Sequence, residues 1–109
     1  MLDFNAYQKK AHSTALYPQE IGLAYVALGL AGEAGEIANK TKKVYRDHNG
    51  ELTREKRTEL AKELGDVLWY VAGVATELGF SLEDIASLNL KKLSARKEAG
   101  TLQGDGDNR

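Results

Sequence analysis

The sequence has no cysteine, which excludes a disulfide framework, thiolate metal sites and a cysteine nucleophile. It has a single proline, Pro18, and no stretch resembles two strands joined by a hairpin turn. Its formal net charge is −1, too small to attract nucleic acid or a membrane surface through an overall field. The start of the chain lacks the basic-then-apolar order of a signal peptide, and the longest apolar run is short and glycine-rich for a membrane span. We therefore expect a cytoplasmic protein that binds neither nucleic acid nor a membrane.

The composition is that of a folded globular domain. Of the 109 residues, 42% are hydrophobic and 28% are charged, a balance that a disordered chain does not have. A chain of this length supports one modest core. We predict a single helical domain over residues 1–100 and a polar C-terminal tail over residues 101–109, because the tail sequence TLQGDGDNR is too polar to add to a core.

Apolar residues recur at helical rather than alternating spacing, which predicts an all-α fold. The four predicted helices cover about residues 3–14, Pro18 to Asp47, Thr53 to Gly79 and Ser81 to Gly100. Asp3, Thr53 and Ser81 are the expected N-caps, and a capping box is expected at Ser81. The two long central helices, each about 40 Å at 1.5 Å per residue, should form an antiparallel hairpin. With the shorter terminal helices, this gives a four-helix-bundle-like architecture.

The third predicted helix is apolar on more than one side. Trp69 lies opposite an apolar stripe that consists of Leu60, Val67, Val71, Val74 and Leu78. A helix with this pattern is expected to be buried on both sides, and the two shorter helices are too small to cover so much apolar surface. We therefore predict an obligate homo-oligomer, a dimer or larger.

Two acidic segments repeat thirty residues apart, LAGEAGEI from Leu30 and LAKELGDV from Leu60. Their acids are Glu33 and Glu36 in the first segment and Glu63 and Asp66 in the second. At 100° per residue, the first acid of each pair lies about 60° from the leucine and the second about 120°, on the same side. The acids therefore flank the core stripe in both helices, and an antiparallel hairpin can bring all four carboxylates toward a common point.

Four converging carboxylates need protons or cations between them. Two carboxylates 4 Å apart repel by about 1 kcal/mol in water and about 4 kcal/mol at an effective dielectric constant of 20. Oxygen-only ligands select hard ions, so the expected ion is magnesium or manganese. The alternative is a solvated acidic face, which is common in a chain this charged. The nearby glycines Gly29, Gly35 and Gly65 fit either close helix packing or the approach of a ligand.

The residue types around the acids favour phosphoryl-transfer chemistry over redox chemistry. Ferritin-like di-iron sites use Glu-x-x-His pairs, and neither His12 nor His48 lies at that spacing. Magnesium-assisted phosphoryl transfer also needs cations for the remaining phosphate charge. The candidate substrate-binding residues are Asn89, Lys92 and Arg96 on one face of the fourth helix, Lys40 beside the first acid pair, and Tyr70 one turn after the last acid. Each of these can instead be an ordinary surface or boundary residue.

The segments GEAGE and ELGD, with 26 residues between them, resemble the ExxE…ExxD motif of the MazG-like nucleotide pyrophosphohydrolases. These belong to the all-α nucleoside triphosphate pyrophosphatase superfamily, and the resemblance covers roughly residues 22–96. It implies hydrolysis of a nucleoside triphosphate between the α and β phosphates, giving a monophosphate and pyrophosphate. The implied catalytic residues and magnesium ligands are Glu33, Glu36, Glu63 and Asp66. The implied phosphate contacts are Lys92 and Arg96, with Asn89 and Tyr70 as weaker matches.

The resemblance also implies a dimer or a dimer of dimers, with the nucleotide held partly by a second subunit. The aromatic residues expected in the walls of a base pocket are Phe4, Tyr7 and Trp69. The tail is interpreted either as a disordered terminus or as a lid in which Asp105, Asp107 and Arg109 approach the metal and the phosphates. Two rival functions are a non-catalytic helical module that binds nucleotides or a divalent ion, and a structural interaction protein whose acids are surface decoration.

Overall fold

The computed structural model describes residues 1–100, of which 81% are helical and none lies in a β-strand. This confirms the all-α prediction. The elements are α1 (Phe4–His12), a short 3-10 turn (Gln19–Ile21), α2 (Gly22–His48), α3 (Arg54–Glu77) and α4 (Leu82–Ala99). The tail at residues 101–109, with the proposed lid residues Asp105, Asp107 and Arg109, lies outside the described residues.

The helix ends follow the local signals in the sequence, with one exception. The side chains of Asp3, Thr53 and Ser81 each accept a hydrogen bond from a backbone amide in the following turn, as expected for N-caps. α2 begins later than predicted, because Pro18 precedes the 3-10 turn and Gly22 opens the α-helix. Such 3-10 turns are common at helix N-termini, and apolar periodicity does not distinguish them from the first turn of an α-helix.

Glycines set the spacing between the antiparallel helices α2 and α3. A Cβ atom at Gly29 would lie 2.1 Å from Cε1 of Tyr70, and one at Gly73 would lie 2.8 Å from Cγ1 of the fully buried Val26. Close helix packing therefore explains Gly29, which is one of the two interpretations that the sequence leaves open. Three other helical glycines beside the acids face open space in the described part of the chain, namely Gly32, Gly35 and Gly65.

α1 lies across α3 and ties it to the start of α4. Nε2 of Gln8 donates to Oγ1 of Thr76 at 3.0 Å and to the carbonyl of Phe80 at 3.1 Å. Oε1 of the same side chain accepts a hydrogen bond from the Leu82 amide at 2.8 Å. Among residues 1–100, α4 contacts α1 and α3 but not α2. The acid-bearing middle of α2 is therefore out of contact with α4 within one chain.

Trp69 is covered within its own chain, and not necessarily by a partner subunit. This residue is partly buried, and its Nε1 donates a hydrogen bond to Oγ1 of Thr14 at 2.8 Å. The segment that follows α1 therefore covers this side of α3 within one chain, so Trp69 alone does not require a partner subunit. On the opposite side, the predicted apolar stripe is partly buried except at Leu78, which is 52% exposed.

The core within the described residues is small. Its buried hydrophobic residues are Ala11, Tyr17, Val26, Val44, Ala72, Ala75 and Leu82. Large hydrophobic side chains remain exposed on all four α-helices, among them Phe4, Leu28, Leu64, Leu68 and Leu90. The Cα radius of gyration is 16.7 Å, against about 13 Å for a compact chain of 100 residues. The homo-oligomer stays a prediction, and this exposed apolar surface is what it would cover.

α2 and the 3-10 turn before it form one long apolar helical stretch. The helical stretch Gln19–His48 is long and apolar enough to cross a membrane by length and composition alone, because it contains an 18-residue window with a mean hydropathy of 1.3. The expectation that the chain does not span a membrane therefore stays a prediction. A single such helix is weak evidence for a span, because core helices of water-soluble proteins have the same composition.

Candidate metal centre

Three of the four predicted acids converge between the middle of α2 and the middle of α3. Glu33, Glu63 and Asp66 each offer one carboxylate oxygen, and these oxygens lie within 4.8 Å of one another. The matched helical phase of the two acidic segments produces this arrangement once the helices pack antiparallel. Glu33 and Glu63 are partly buried and Asp66 is exposed, so the cluster lies at the rim of the helix interface and is open to solvent.

Glu36 is the predicted acid that does not join this group of three. It is exposed and lies one turn after Glu33 on α2. Its charge still helps to raise the pKa of Glu33 and the pKa of Lys40. A step of three residues turns a helical side chain by about 60°, which places Glu36 on the flank of the cluster.

Burial and the neighbouring carboxyl groups raise the pKa of Glu33. Burial is the largest cause, followed by a hydrogen bond with Glu63 and by the charges of the neighbouring carboxylates. Desolvation and like charges both disfavour the ionised form of a carboxyl group. Glu33 therefore holds a proton more strongly than an isolated glutamate does, and a cation among the carboxylates would relieve the repulsion between them.

Lys40 brings a positive charge to the cluster from α2. Its Nζ lies 3.2 Å from Oε1 of Glu63, an ion pair that links α2 to α3. The hydrogen bond to Glu63 is the main cause that raises the pKa of Lys40, and the charges of Glu59 and Glu36 add to it. The sequence places Lys40 among the substrate-binding residues, and the structure places it against one of the candidate metal ligands.

An open cleft beside the acids has aromatic walls. Its lining consists of Thr14, Glu33, Asp66, Trp69 and Tyr70. The Trp69 and Tyr70 rings meet edge to face, with centroids 4.9 Å apart. Burial raises the pKa of Tyr70, and its neighbours Tyr25 and Glu33 raise it further. A cleft with carboxylates on one side and aromatic rings on the other has the chemistry to hold a metal-bound anion and an aromatic group together.

The aromatic residues predicted for a base pocket are divided between two surfaces. Trp69 lines the acid cleft, whereas Phe4 and Tyr7 line a separate apolar groove that includes Leu68. The pKa of Tyr7 is raised by burial first and then by the charge of Asp66. α1 therefore runs close to the acids, although its aromatic residues face the neighbouring groove.

The predicted cationic face of α4 does not reach the α2 side of the cluster within one chain. Asn89 and Lys92 are exposed, whereas Arg96 is buried with 9% of its surface accessible. α4 has no contact with α2 in the described part of the chain. The polar face of α4 is therefore not packed against the acids of α2. The face expected to turn inward does so only at Arg96.

Residues 23–101 match the family model of the MazG nucleotide pyrophosphohydrolase domain, a span that includes all four acids and the polar face of α4. The chain belongs to the MazG family. This match confirms the resemblance found in the sequence.

Two known proteins are similar to this MazG domain over most of their own length. The Gene 37 protein of Mycobacterium phage L5 is 51% identical over 109 residues, covering 94% of this chain and 96% of the phage protein. The uncharacterized protein YvdC of Bacillus subtilis (strain 168) is 36% identical over 74 residues, covering 63% of this chain and 70% of YvdC. Neither name states an activity. No solved structure matches the chain.

The acids of this MazG domain fit a divalent metal ion. MazG proteins typically depend on a divalent metal, and the three converging donors are all carboxylate oxygens, the donor type that hard ions prefer. Oxygens bound to one such ion lie about 2.0–2.6 Å from it. Two oxygens on a shared ion are therefore at most about 5.2 Å apart for Ca²⁺ and about 4.2 Å apart for Mg²⁺. The three oxygens lie within 4.8 Å of one another, so they fit the larger ion as they stand and would have to move together by up to about 0.6 Å to share Mg²⁺.

Sequence reasoning missed two residues next to the MazG site, Thr14 and Tyr25. Tyr25 contacts Tyr70 and stacks on Tyr17 with ring centroids 4.9 Å apart. Its helical spacing from Glu33 places both on one side of α2, so the signal for Tyr25 was present in the sequence. Thr14 lies in the non-helical segment after α1, where no periodicity indicates which residue it meets.

Proposed function

We propose that the protein is a magnesium-dependent nucleoside triphosphate pyrophosphohydrolase. Water attacks the α phosphorus, the bond from that phosphorus to the α–β bridging oxygen breaks, and pyrophosphate leaves. The second product is the nucleoside monophosphate, with ribose or deoxyribose. The observation that carries the proposal is the convergence of Glu33, Glu63 and Asp66 in a chain of the MazG family.

In this proposal the acids of α2 and α3 hold the metal ion. Glu33, Glu63 and Asp66 are the ligands, and Glu36 supplies a further carboxylate from the flank, as the family resemblance implies. The ion, when bound, neutralises charge on the phosphate oxygens and activates the attacking water. Trp69 and Tyr70 line the adjoining cleft, where their rings would contact the nucleoside and keep water from one side of it.

The cations for the remaining phosphate charge would come from a second copy of the chain. Lys92 and Asn89 are exposed on α4, which does not contact α2 of its own chain within residues 1–100. The exposed apolar residues Leu64 and Leu68 of α3 support a subunit interface next to the acids. A homodimer or a dimer of dimers would place the α4 of one subunit at the cleft of another.

The test is turnover of a panel of normal and modified nucleoside triphosphates in the presence of Mg²⁺. We expect pyrophosphate and the nucleoside monophosphate as products, and loss of turnover in Asp66→Asn and in Glu36→Ala. The matched control is Glu55→Gln, which removes one acid from the exposed first turn of α3. Its turnover should equal that of the wild type.

Three outcomes would contradict this assignment. A nucleoside diphosphate and orthophosphate as products would show that the enzyme cleaves between the β and γ phosphates instead of between α and β. Equal turnover by Asp66→Asn and the wild type would show that the acid cluster is not needed for the reaction. Binding of Mg²⁺ and nucleotides without turnover of any triphosphate would favour the rival function of a non-catalytic binding module.

A further inference from the structure

The ion pair of Lys40 and Glu63 occupies one of the candidate metal ligands. Nζ of Lys40 lies 3.2 Å from Oε1 of Glu63, and the side chains are 35% and 19% exposed. This pair joins α2 to α3, whereas the pair of Lys56 and Glu59 lies within α3. Glu36 and Glu59 are the other acids whose charges act on Lys40. A single lysine is therefore placed among the carboxylates of both helices.

The negative charge of the acid cluster favours replacement of the Lys40 ammonium group by a divalent metal ion. Three carboxylates converge at the cluster, and one ammonium group leaves them with an excess of negative charge. A divalent ion supplies twice the charge of a lysine and binds several oxygens at once. An ammonium group and a divalent ion on the same carboxylate would repel each other.

We propose that Lys40 is the built-in counter-ion of the acid cluster, which competes with the divalent ion for Glu63 and is released when the ion binds. The inference rests on the proposed metal centre and adds a residue that sets its affinity. Lysine carries its charge on a flexible four-carbon stem, so Nζ can leave Glu63 while α2 stays in place. The released ammonium group remains at the rim of the cleft, where a phosphate oxygen of the substrate would be its next partner.

This role makes two predictions that run in opposite directions. Replacing Lys40 by glutamine leaves the metal-free acids without their counter-ion, so the melting temperature of the metal-free protein should fall. The same change removes the competitor, so the affinity for Mg²⁺ should rise by up to about fivefold, which is the size that an exposed ion pair supports. Lys40→Arg, which keeps the charge, should restore the wild-type behaviour in both measurements.

The experiment is titration of the full-length, metal-free protein with Mg²⁺ by calorimetry, together with thermal unfolding without metal. The matched control is Arg46→Gln, which makes the same change of charge in an exposed ion pair with Asp47, an acid that is not among those acting on Lys40. Arg46→Gln should leave the Mg²⁺ affinity as in the wild type. Lys40→Gln with an unchanged or lower Mg²⁺ affinity would overturn the inference, because Lys40 would then be a spectator or would orient Glu63 for the metal.

Asp66→Asn separates this inference from the metal centre itself. If Asp66→Asn loses Mg²⁺ binding while Lys40→Gln does not gain it, the metal centre stands and the counter-ion role fails. If the wild type and Asp66→Asn bind Mg²⁺ equally, or neither binds it, the metal centre and the counter-ion role fail together. Loss of binding in Asp66→Asn with a gain in Lys40→Gln supports both.

Discussion

Single atoms decide the spacing of the two helices that carry the acids. At Gly29 the absent Cβ leaves room for the Tyr70 ring, which would otherwise approach to 2.1 Å. At Gly32 the equivalent position has no atom within 4 Å in the described part of the chain. Glycine costs a helix up to about 1 kcal/mol relative to alanine. The same residue type is therefore required at one position and merely tolerated at the other.

Gly29→Ala and Gly32→Ala are predicted to have opposite effects on stability. The first should lower the free energy of unfolding by about 1–3 kcal/mol, because the added methyl group overpacks the contact with Tyr70. The second should raise it by up to about 1 kcal/mol through helix propensity. Chemical denaturation of both variants measures the difference. A stabilising Gly29→Ala would show that the two helices are not held at this distance.

Tyr17 gives the protein a pH dependence on the alkaline side. Its pKa is raised from 10.0 by burial first, and then by its hydrogen bond to Glu77 and the charge of that residue. The hydroxyl donates to Oε2 of Glu77 at 3.0 Å. A raised folded-state pKa means that the stabilising contribution is complete below about pH 10 and is lost as the pH rises through the folded-state value.

The wild type should therefore lose stability more steeply above about pH 10 than Tyr17→Phe does, since phenylalanine has no proton to lose. Urea unfolding at a series of pH values measures the two slopes. Tyr45→Phe is the matched control, because Tyr45 is 70% exposed and its loss should leave the wild-type slope. Parallel slopes for the wild type and Tyr17→Phe would contradict the assigned role of the Glu77 contact.

The sequence predicts that the acids converge, but it does not predict the ion pair of Lys40 with Glu63. Helical phase predicts that all four acids converge across an antiparallel hairpin. The structure brings Glu33, Glu63 and Asp66 together, whereas Glu36 stays on the flank. The contact of Lys40 with Glu63 depends on the side-chain conformation of a long, flexible residue. Periodicity fixes the face of the helix on which Lys40 lies but not which of several nearby anions it meets.

At the scale of the elements, one side chain joins three helices. The side chain of Gln8 on α1 donates hydrogen bonds to Thr76 in the last turn of α3 and to the Phe80 carbonyl in the following loop. It accepts a hydrogen bond from the Leu82 amide at the start of α4. We expect Gln8→Leu to lower the free energy of unfolding by about 1–3 kcal/mol, because it leaves the Phe80 carbonyl and the Leu82 amide without their partner. Thermal or urea unfolding measures the change. Gln19→Leu on the exposed 3-10 turn is the control, and an equal effect of both variants would contradict this role.

The limits of sequence-based prediction follow the range of the interactions involved. The N-caps at Asp3, Thr53 and Ser81 are local, because each side chain meets an amide in the next turn, and they were predictable. The path of α4 depends on contacts with α1, such as that of Gln8, which join residues 74 positions apart. No local pattern encodes such a contact, so the sequence identified the polar face of α4 without placing it.

At the scale of the whole molecule, the chain leaves much apolar surface uncovered. Large side chains such as Leu28, Leu64 and Leu90 are more than half exposed, and the radius of gyration of 16.7 Å exceeds the value of about 13 Å for a compact chain of this size. Burial of this surface is the main driving force available for association. We therefore predict that the protein sediments as a dimer or a dimer of dimers.

Analytical ultracentrifugation at micromolar concentration is the measurement for this prediction, and a stable monomer would contradict it. If subunits share a site as proposed, a mixture of Asp66→Asn and Lys92→Ala chains should recover part of the activity that each variant lacks. Each mixed dimer then contains one site with intact acids and an intact α4. A mixture without any recovery would place the acids and α4 of one chain in the same site.

The function proposed here requires that α2 and α3 together hold a divalent ion between their acids. Its most direct measurement is Mn²⁺ binding, followed by the loss of the free-ion signal in electron paramagnetic resonance. We expect Asp66→Asn to weaken binding by at least about tenfold and the triple variant Glu33→Gln, Glu63→Gln, Asp66→Asn to abolish it. A control with three exposed acids removed (Glu51→Gln, Glu55→Gln, Glu83→Gln) should bind as the wild type does. Equal Mn²⁺ binding by the wild type and the first triple variant would show that these acids do not hold the ion.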